Sequence, residues 1–330
     1  MTSSINIPIS VLDLVPVLEG GSPAQSFKNS VELARLAESL GYHRYWLAEH
    51  HSMPGIASAA TSVVIGHIAG ATKTIRVGSG GIMLPNHAPI VIAEQFGTLE
   101  SLYPGRIDLG LGRAPGSDRI TTRALRRELQ GDDFPELLRE LEFFFAAPVA
   151  GQRVQAVPGA GLDLPIWLLG SSDFSARLAG RLGLPFAFAA HFSPEGTLPA
   201  LAAYRREFQA SEKLSEPYAM VAINVVAADT VATAEYLATT QFQSFLNAVR
   251  NSPKRIQPPV DSMDGLWSPE EEYMVMSRLG GSIIGDKAKV ESEMHAFIDA
   301  TKADEIMVSA IIYDQQARLR SHEIVAELFT

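Results

Sequence analysis

The sequence predicts a (β/α)8 TIM barrel with insertions after its fourth and seventh strands. Three observations predict it. Apolar runs of strand length recur along the 330 residues, the first four at intervals of about thirty, the length of one strand–helix unit. Helical patterns separate them, and strand–helix repeats with right-handed crossovers build a parallel sheet. The rival, a doubly wound sheet, wants G-x-G-x-x-G opening a helix after the first strand, and no such stretch is there. Length alone suggests two domains, but barrels of this size commonly form one, so 1–330 reads as a single domain.

The elements follow in order. INIPISVLD (5–13) is the first strand. Ser22-Pro23-Ala24-Gln25 fits a capping box with proline at the first helical position. Phe27, Val31, Ala34 and Leu40 then share a helical stripe, and Gly41 supplies the stop. YHRYWLAE (42–49), IRVGSGGIML (75–84) and RIDLGLG (106–112) are the next three strands. Gly78, Gly80 and Gly81 weaken the third and mark a bulge, a barrel-packing contact or a backbone against which a flat ring lies. Residues 113–164 hold an arginine-rich loop, an acidic helix and VPGAGLDLP, and form the first insertion. PIWLLG (165–170), PFAFAAH (185–191), YAMVAINVVA (218–227) and DEIMVSAII (304–312) complete eight strands, with a short helix in 171–183. The second insertion, 250–285, is a lid, a binding loop or a disordered segment, with Gly280, Gly281 and Gly285 as hinges if it moves. Asp314 caps a last helix from Gln315 to about Leu328.

Composition excludes several function classes. Asp and Glu number 37 against 27 Lys and Arg, a net charge of −10, and nucleic acid needs a basic face. There is no cysteine, which removes disulfides, thiolate metal sites and Cys nucleophiles. MTSSINIPISVLD lacks the basic and long apolar segments of a signal peptide, and no stretch reaches the roughly 18 apolar residues of a membrane span. The expectation is a soluble, cytoplasmic protein with neither nucleic acid nor membrane as partner.

In such barrels chemistry sits at the C-terminal ends of the strands. Those ends carry Asp13, Glu49-His50-His51, Leu84-Pro85-Asn86-His87, Gly112-Arg113, Gly170-Ser171-Ser172 and His191-Phe192. Glu49, His50, His87 and His191 raise the question of a metal, but adjacent histidines on a strand point to opposite faces and H-E-x-x-H is absent, so no metal is expected. His51 suits a polar group closing the strand. Gly170-Ser171-Ser172 joins a buried strand to a helix N-terminus, which reads as a phosphate site or as an ordinary serine cap. Arg113 reads as a phosphate-binding fork at the same mouth, or as a partner for the acidic helix that follows.

Taken together, WLAEHH, ATKTIRVGSGGIMLP (71–85), AEQFGTLESLYPGRIDLGLGRAPG (93–116), PIWLLGSS and LGLPFAFAAHF resemble the bacterial luciferase-like flavin monooxygenases, in order and spacing over most of the chain. The resemblance implies a barrel that takes reduced FMN from a separate flavin reductase. O2 adds to the flavin as a C4a-peroxy adduct, which oxidises a small or medium organic substrate. By that resemblance His50 is the catalytic histidine, with Glu49 before it as a second catalytic candidate or a group that orients its neighbours. An imidazole, whose ordinary pKa lies near neutrality, suits proton exchange. Gly80 and Gly81 correspond to a pair beneath the flavin ring that carries a non-prolyl cis peptide in relatives. Arg113, Gly170, Ser171 and Ser172 correspond to the phosphate site. A homodimer through helices near strands 2 and 3 is implied too. Luciferase itself has Ala-Ala for Gly80-Gly81, Cys for Gly112 and Glu for Gly170, so the non-luminescent group is the better match. Two other classes stay open: a flavin-binding protein without turnover, and a deazaflavin-dependent hydride-transfer enzyme.

Overall fold

The structure is a computed structural model and describes residues 5–113, 119–125 and 133–329. Its strands are β1 (Ile9–Asp13), β2 (Arg44–Leu47), β3 (Arg76–Ser79), β4 (Ile82–Met83), β5 (Ile107–Gly112), β6 (Ile166–Gly170), β7 (Phe186–Ala189), β8 (Ala219–Ala227), β9 (Ile283–Gly285) and β10 (Glu305–Ser309). Its α-helices are α1 (Pro23–Ser39), α2 (Thr61–Ala71), α3 (Pro89–Leu102), α4 (Arg119–Ala124), α5 (Phe134–Phe145), α6 (Asp173–Leu182), α7 (Thr197–Glu207), α8 (Val231–Val249), α9 (Pro269–Leu279), α10 (Lys287–Thr301) and α11 (Gln315–Ala326). The sheet runs β10-β1-β2-β3-β5-β6-β7-β8, and β8 pairs with β10, so eight parallel positions close a barrel with helices around it. The third position is split. The Gly80–Gly81 peptide is cis, β3 ends before it, and β4 resumes after it against β5 with Ile82 opposite Leu111. No helix among the described residues is long and apolar enough to cross a membrane.

Local chemistry explains the element ends. Ser22 caps α1 by accepting the Gln25 amide at 3.3 Å, but the Gln25 side chain turns to Asn29 instead of completing the expected capping box. Gly183 ends α6 at φ +62°, a left-handed conformation that favours glycine. Asp314 caps α11 through the Ala317 amide at 2.8 Å.

Strand alternation separates two cores. Tyr45, Leu47, Val77, Leu109, Leu111, Phe186 and Val221 pack outward beneath the helices. Leu12, Trp46, Trp167, Met220 and Met307 fill the barrel's middle. Below them, at the strands' N-terminal ends, lies a buried charge network. Arg44 bridges Asp108 at 2.8 Å and Glu305 at 3.1 Å, and Arg76 pairs with Asp108 at 2.6 Å. Ser10, Tyr218 and Trp46 donate to the same carboxylates. This plug closes the bottom and leaves the top as the open end.

Asp13 ends β1 as expected, but its side chain faces outward, because Leu12 takes the inward place beside it. Its carboxylate accepts hydrogen bonds from Ser30 and Tyr45, each at 2.5 Å, and from Arg318 at 2.8 Å, and so ties β1 to α1 and α11. The second insertion is built structure. Ser268 and Glu271 form a reciprocal capping box on α9, and Met263, Val275 and Leu279 pack on Leu246 of α8. Leu18 and Ile256 form a parallel bridge, which ties the insertion to the loop after β1. Gly285 lies in β9 opposite Ala227, so it is a strand residue and not a hinge.

Buried His322 on α11 sets a pH dependence. Burial, then the neighbouring Arg318 charge, pushes it down to about 3 from the ordinary 6.5. The folded state therefore prefers the neutral ring, and unfolded chains bind the extra proton between those values. Stability is full above pH 6.5 and falls as pH drops toward 3, by roughly 1.4 kcal/mol per unit while this group dominates. Urea melts from pH 7 to 4 should show that decline, with a shallower slope in His322→Phe.

Candidate active site

The open end is assembled by register. Trp46 and Ala48 belong to the interior cluster, so the same alternation carries His50 inward and Glu49 outward. This separates the two adjacent histidines as expected. Glu49 is fully buried and gathers the tops of two neighbouring strands. Its carboxylate meets His51 Nε2 at 2.7 Å and His87 Nε2 at 3.0 Å, and accepts from Asn86 Nδ2 at 3.1 Å and the Met83 amide at 2.9 Å. Burial opposes its ionisation, but hydrogen bonds from His87, His51 and Met83 outweigh that and hold it below the usual carboxylate range. With its oxygens so used, Glu49 anchors the backbone on either side of His50. Among the described residues no group of three or more His, Asp or Glu side chains is placed to hold a metal.

The phosphate-type features converge. Arg113 follows β5, and its guanidinium lies 4.4 Å over the ring of Phe174 in the first turn of α6. That contact brings Arg113 to the helix N-terminus that Ser171 and Ser172 precede. Ser172 is the N-cap, yet its side chain makes no capping bond, so its hydroxyl is unspent. The Ser171 carbonyl accepts from Ser193 at 3.2 Å, which fixes the turn to the loop after β7. Gly170 has a packing reason of its own: a Cβ there would lie 2.8 Å from the Ser175 Cβ.

The glycines of the third strand are explained by the barrel. A Cβ on Gly80 would stand 2.7 Å from Leu12 Cδ1, and one on Gly81 would stand 2.8 Å from the Gly110 carbonyl. Gly81 is therefore crowded by neighbouring backbone whether or not a ligand rests above it, while at Gly80 the crowding is with the flexible end of Leu12. Ala48, Ala187 and Ala222 are small members of the interior cluster that holds Trp46 and Trp167, and Leu12 and Leu169 occupy the space that side chains on Gly80 and Gly110 would need.

His191, named as a strand-end residue from the sequence but not as a site residue, completes the ring. It lies in the turn that follows β7, which ends at Ala189. Asn224 of β8 donates to its carbonyl at 2.5 Å, and its ring stands edge-on to Phe192 at 4.7 Å. Burial, then the charge of nearby His50, pushes it down to about 4, so it is neutral at physiological pH. Neither its burial nor its contact with Asn224 carried a signal in sequence.

Comparison with known proteins follows the same lines. Residues 7–302 match the family described as luciferase-like monooxygenase. The chain is 59% identical to the protein YvbT of Bacillus subtilis (strain 168), covering 97% of this chain and 96% of that one. It is 54% identical to a luciferase-like monooxygenase of Escherichia coli (strain K12), covering 98% and 97%. It is 32% identical to the N-acetyl-S-alkylcysteine monooxygenase of Bacillus subtilis, covering 97% and 98%. Among solved structures, apo-MsnO8 superposes with a TM-score of 0.87 at 35% identity, covering 98% of each chain. Two more distant structures share the fold. They are the oxygenating constituent of 3,6-diketocamphane monooxygenase of Pseudomonas putida in complex with FMN (TM-score 0.74, 19% identity, 98% and 97% covered) and an F420-dependent secondary alcohol dehydrogenase (TM-score 0.68, 14% identity, 99% and 100% covered). The extent of these matches, over nearly the whole chain and above half identity to a named relative, establishes the chain as an enzyme of the luciferase-like monooxygenase family.

Proposed function

We propose that the protein is an FMN-dependent monooxygenase that takes reduced FMN from a separate flavin reductase and uses O2 to oxidise a small or medium organic substrate. The observation that carries this reading is Arg113 stacked on Phe174 beside the unspent N-cap hydroxyl of Ser172. A flavin needs an anchor for its phosphate and a flat place for its ring. Arg113, Ser171, Ser172 and the first amides of α6 fit the phosphate, by charge, fork geometry and helix dipole. The backbone of Gly80 and Gly81, bare of side chains and hydrogen-bonded to Leu47 and Glu49, fits the ring. Bound there, reduced FMN supplies the electrons that activate O2.

The chain's own residues do the rest. His50, inward from β2, holds or delivers a proton at its imidazole where the substrate meets the ring. Glu49 does not touch that place; it fixes His50's backbone through His51, His87, Asn86 and Met83. The insertion over the mouth shields the site from water. A homodimer through α2 and α3 fits the exposed Val63 and Leu102 on those helices.

The phosphate reading has a direct test. Arg113→Ala should weaken FMN binding by about 10–100-fold, the worth of a charge-assisted contact, and leave riboflavin binding unchanged because riboflavin has no phosphate. Equal losses for both flavins would contradict the assignment.

A further inference from the structure

Two adjoining cavities lie apart from the residues of the candidate active site. The larger, about 630 Å³, is bounded by α8, β9, α10 and the Gly280-Gly281-Ser282 turn after α9. The smaller, about 320 Å³, lies between α8 and the second insertion. Glu235 and Phe242 of α8 line both, so they form one cleft with two ends. The ends differ in charge. In the larger, Lys289 stands 4.0 Å from Glu293, one turn along α10, so its cation already has an anion. Ile283, Ile284 and Phe297 give that end apolar walls. The smaller end is lined by three aromatic rings, Tyr236, Phe242 and Trp267, and by two carboxylates, Glu235 and Asp261. Among the described residues no cationic side chain lines it, and neither carboxylate has an ion-pair partner. The Thr239 hydroxyl there is spent on the Tyr236 carbonyl at 2.7 Å and the Val260 amide at 2.9 Å. The Phe242 and Trp267 centroids are 6.1 Å apart with their planes at 40°, a corner and not a stack. The C-terminal end of α9 adds the negative end of a helix dipole at Gly280, on the rim of the larger end.

We propose that this cleft is a second ligand site, which takes an organic cation. Its alkylammonium head lies among Tyr236, Phe242 and Trp267 beside Glu235 and Asp261, and a short apolar tail runs into the larger end against Ile284 and Phe297. Aromatic faces carry the negative part of the ring quadrupole and attract cations, and carboxylates add to that field. An anion is repelled by both, and a neutral molecule gains nothing from either. A quaternary head suits the rings better than a metal ion or bare ammonium, because its methyl groups are apolar surface that leaves water readily. The site does not depend on the FMN reading, since none of its lining residues belongs to the flavin or His50 positions. Its walls come from α8, the second insertion and α10, so a bound cation joins the insertion to the helices beside it.

The test uses the full-length chain and n-hexyltrimethylammonium as the probe, with 1-hexanol as its uncharged counterpart and hexanoate as its anionic one. Trp267 is the reporter, because Trp46 and Trp167 are sealed in the barrel's middle. The expected result is a saturable change in tryptophan emission with the ammonium probe, half complete at or below about 1 mM and absent in Trp267→Phe. Hexanol and hexanoate should not saturate in that range. Glu235→Gln combined with Asp261→Asn should weaken binding of the ammonium probe about tenfold, read by calorimetry. Both side chains are exposed, so the double variant keeps the fold. No saturable binding of the ammonium probe to the wild-type chain overturns the proposal without recourse to any variant. Equal affinity for hexanol or hexanoate overturns it too, since the cleft would then have no preference for positive charge. Wild-type affinity in the doubly neutralised variant places the probe elsewhere and overturns it as well.

Discussion

Replacing His50 with alanine should lower turnover of any substrate the wild-type enzyme oxidises by about 10²–10⁴-fold, the range for losing a positioned acid–base group. FMN binding should change little, because the proposed phosphate anchor is on α6, across the barrel from β2. The limb of the pH–rate profile that an imidazole carries should vanish with it. The check is steady-state O2-dependent oxidation with FMN kept reduced by an added flavin reductase, beside an FMN titration of the same variant. Unchanged turnover would remove His50 from the mechanism. Equal losses of binding and turnover would make it a cofactor ligand only.

Replacing Asp108 with alanine should cost about 3–5 kcal/mol of stability, the penalty for leaving buried charge without its partner. Arg44 and Arg76 both bond this carboxylate, and Asp108 has no exposed surface. Two guanidiniums would then crowd the barrel floor with Glu305 alone to answer them, and the Trp46 indole N–H would lose its acceptor at 3.1 Å. Denaturant melts should show the loss in the midpoint. Arg76→Ala should cost less, since Arg44 still satisfies Asp108 and Arg76 is partly exposed. A near-neutral Asp108→Ala would mean that the floor takes up water freely.

These two residues mark the limits of what the sequence discloses. All eight barrel strands were legible, because buried parallel strands are continuous apolar runs bounded by turn residues. The split of the third strand at Gly80 and Gly81 was legible only as an oddity of composition. The charge plug was not legible at all: Arg44 and Asp108 sit in separate runs, 64 positions apart, and Arg44 and Glu305 are 261 apart. Burial of a charge depends on which partners the topology brings near, and spacing does not carry that. The outward direction of Asp13 was hidden for a simpler reason. A strand end is shared by inward and outward residues, and one step along it changes the face.

The site divides the same way. Glu49-His50-His51 was visible as a polar stop after an apolar run, and alternation alone separates the histidines. What Glu49 does was hidden, because Met83, Asn86 and His87 come from the next strand–helix unit. The closeness of Arg113 to Ser172 was a guess from two strand ends until Phe174 joined them. Residues 114–118 and 126–132, which hold part of the expected arginine-rich loop, lie outside the described residues.

The account stands on the identity of the reduced cofactor, and one experiment addresses it. Purified protein is titrated anaerobically with reduced FMN, and in parallel with a reduced deazaflavin, after which oxygen is admitted and the flavin spectrum followed. The account predicts saturable binding of reduced FMN, then a spectrum that passes slowly to oxidised FMN and faster when a substrate is present. Binding of the reduced deazaflavin alone would contradict it and assign the barrel to hydride transfer. Tight FMN binding with oxidation no faster and no slower than in free solution would contradict it as well, and leave a flavin carrier without oxygen chemistry.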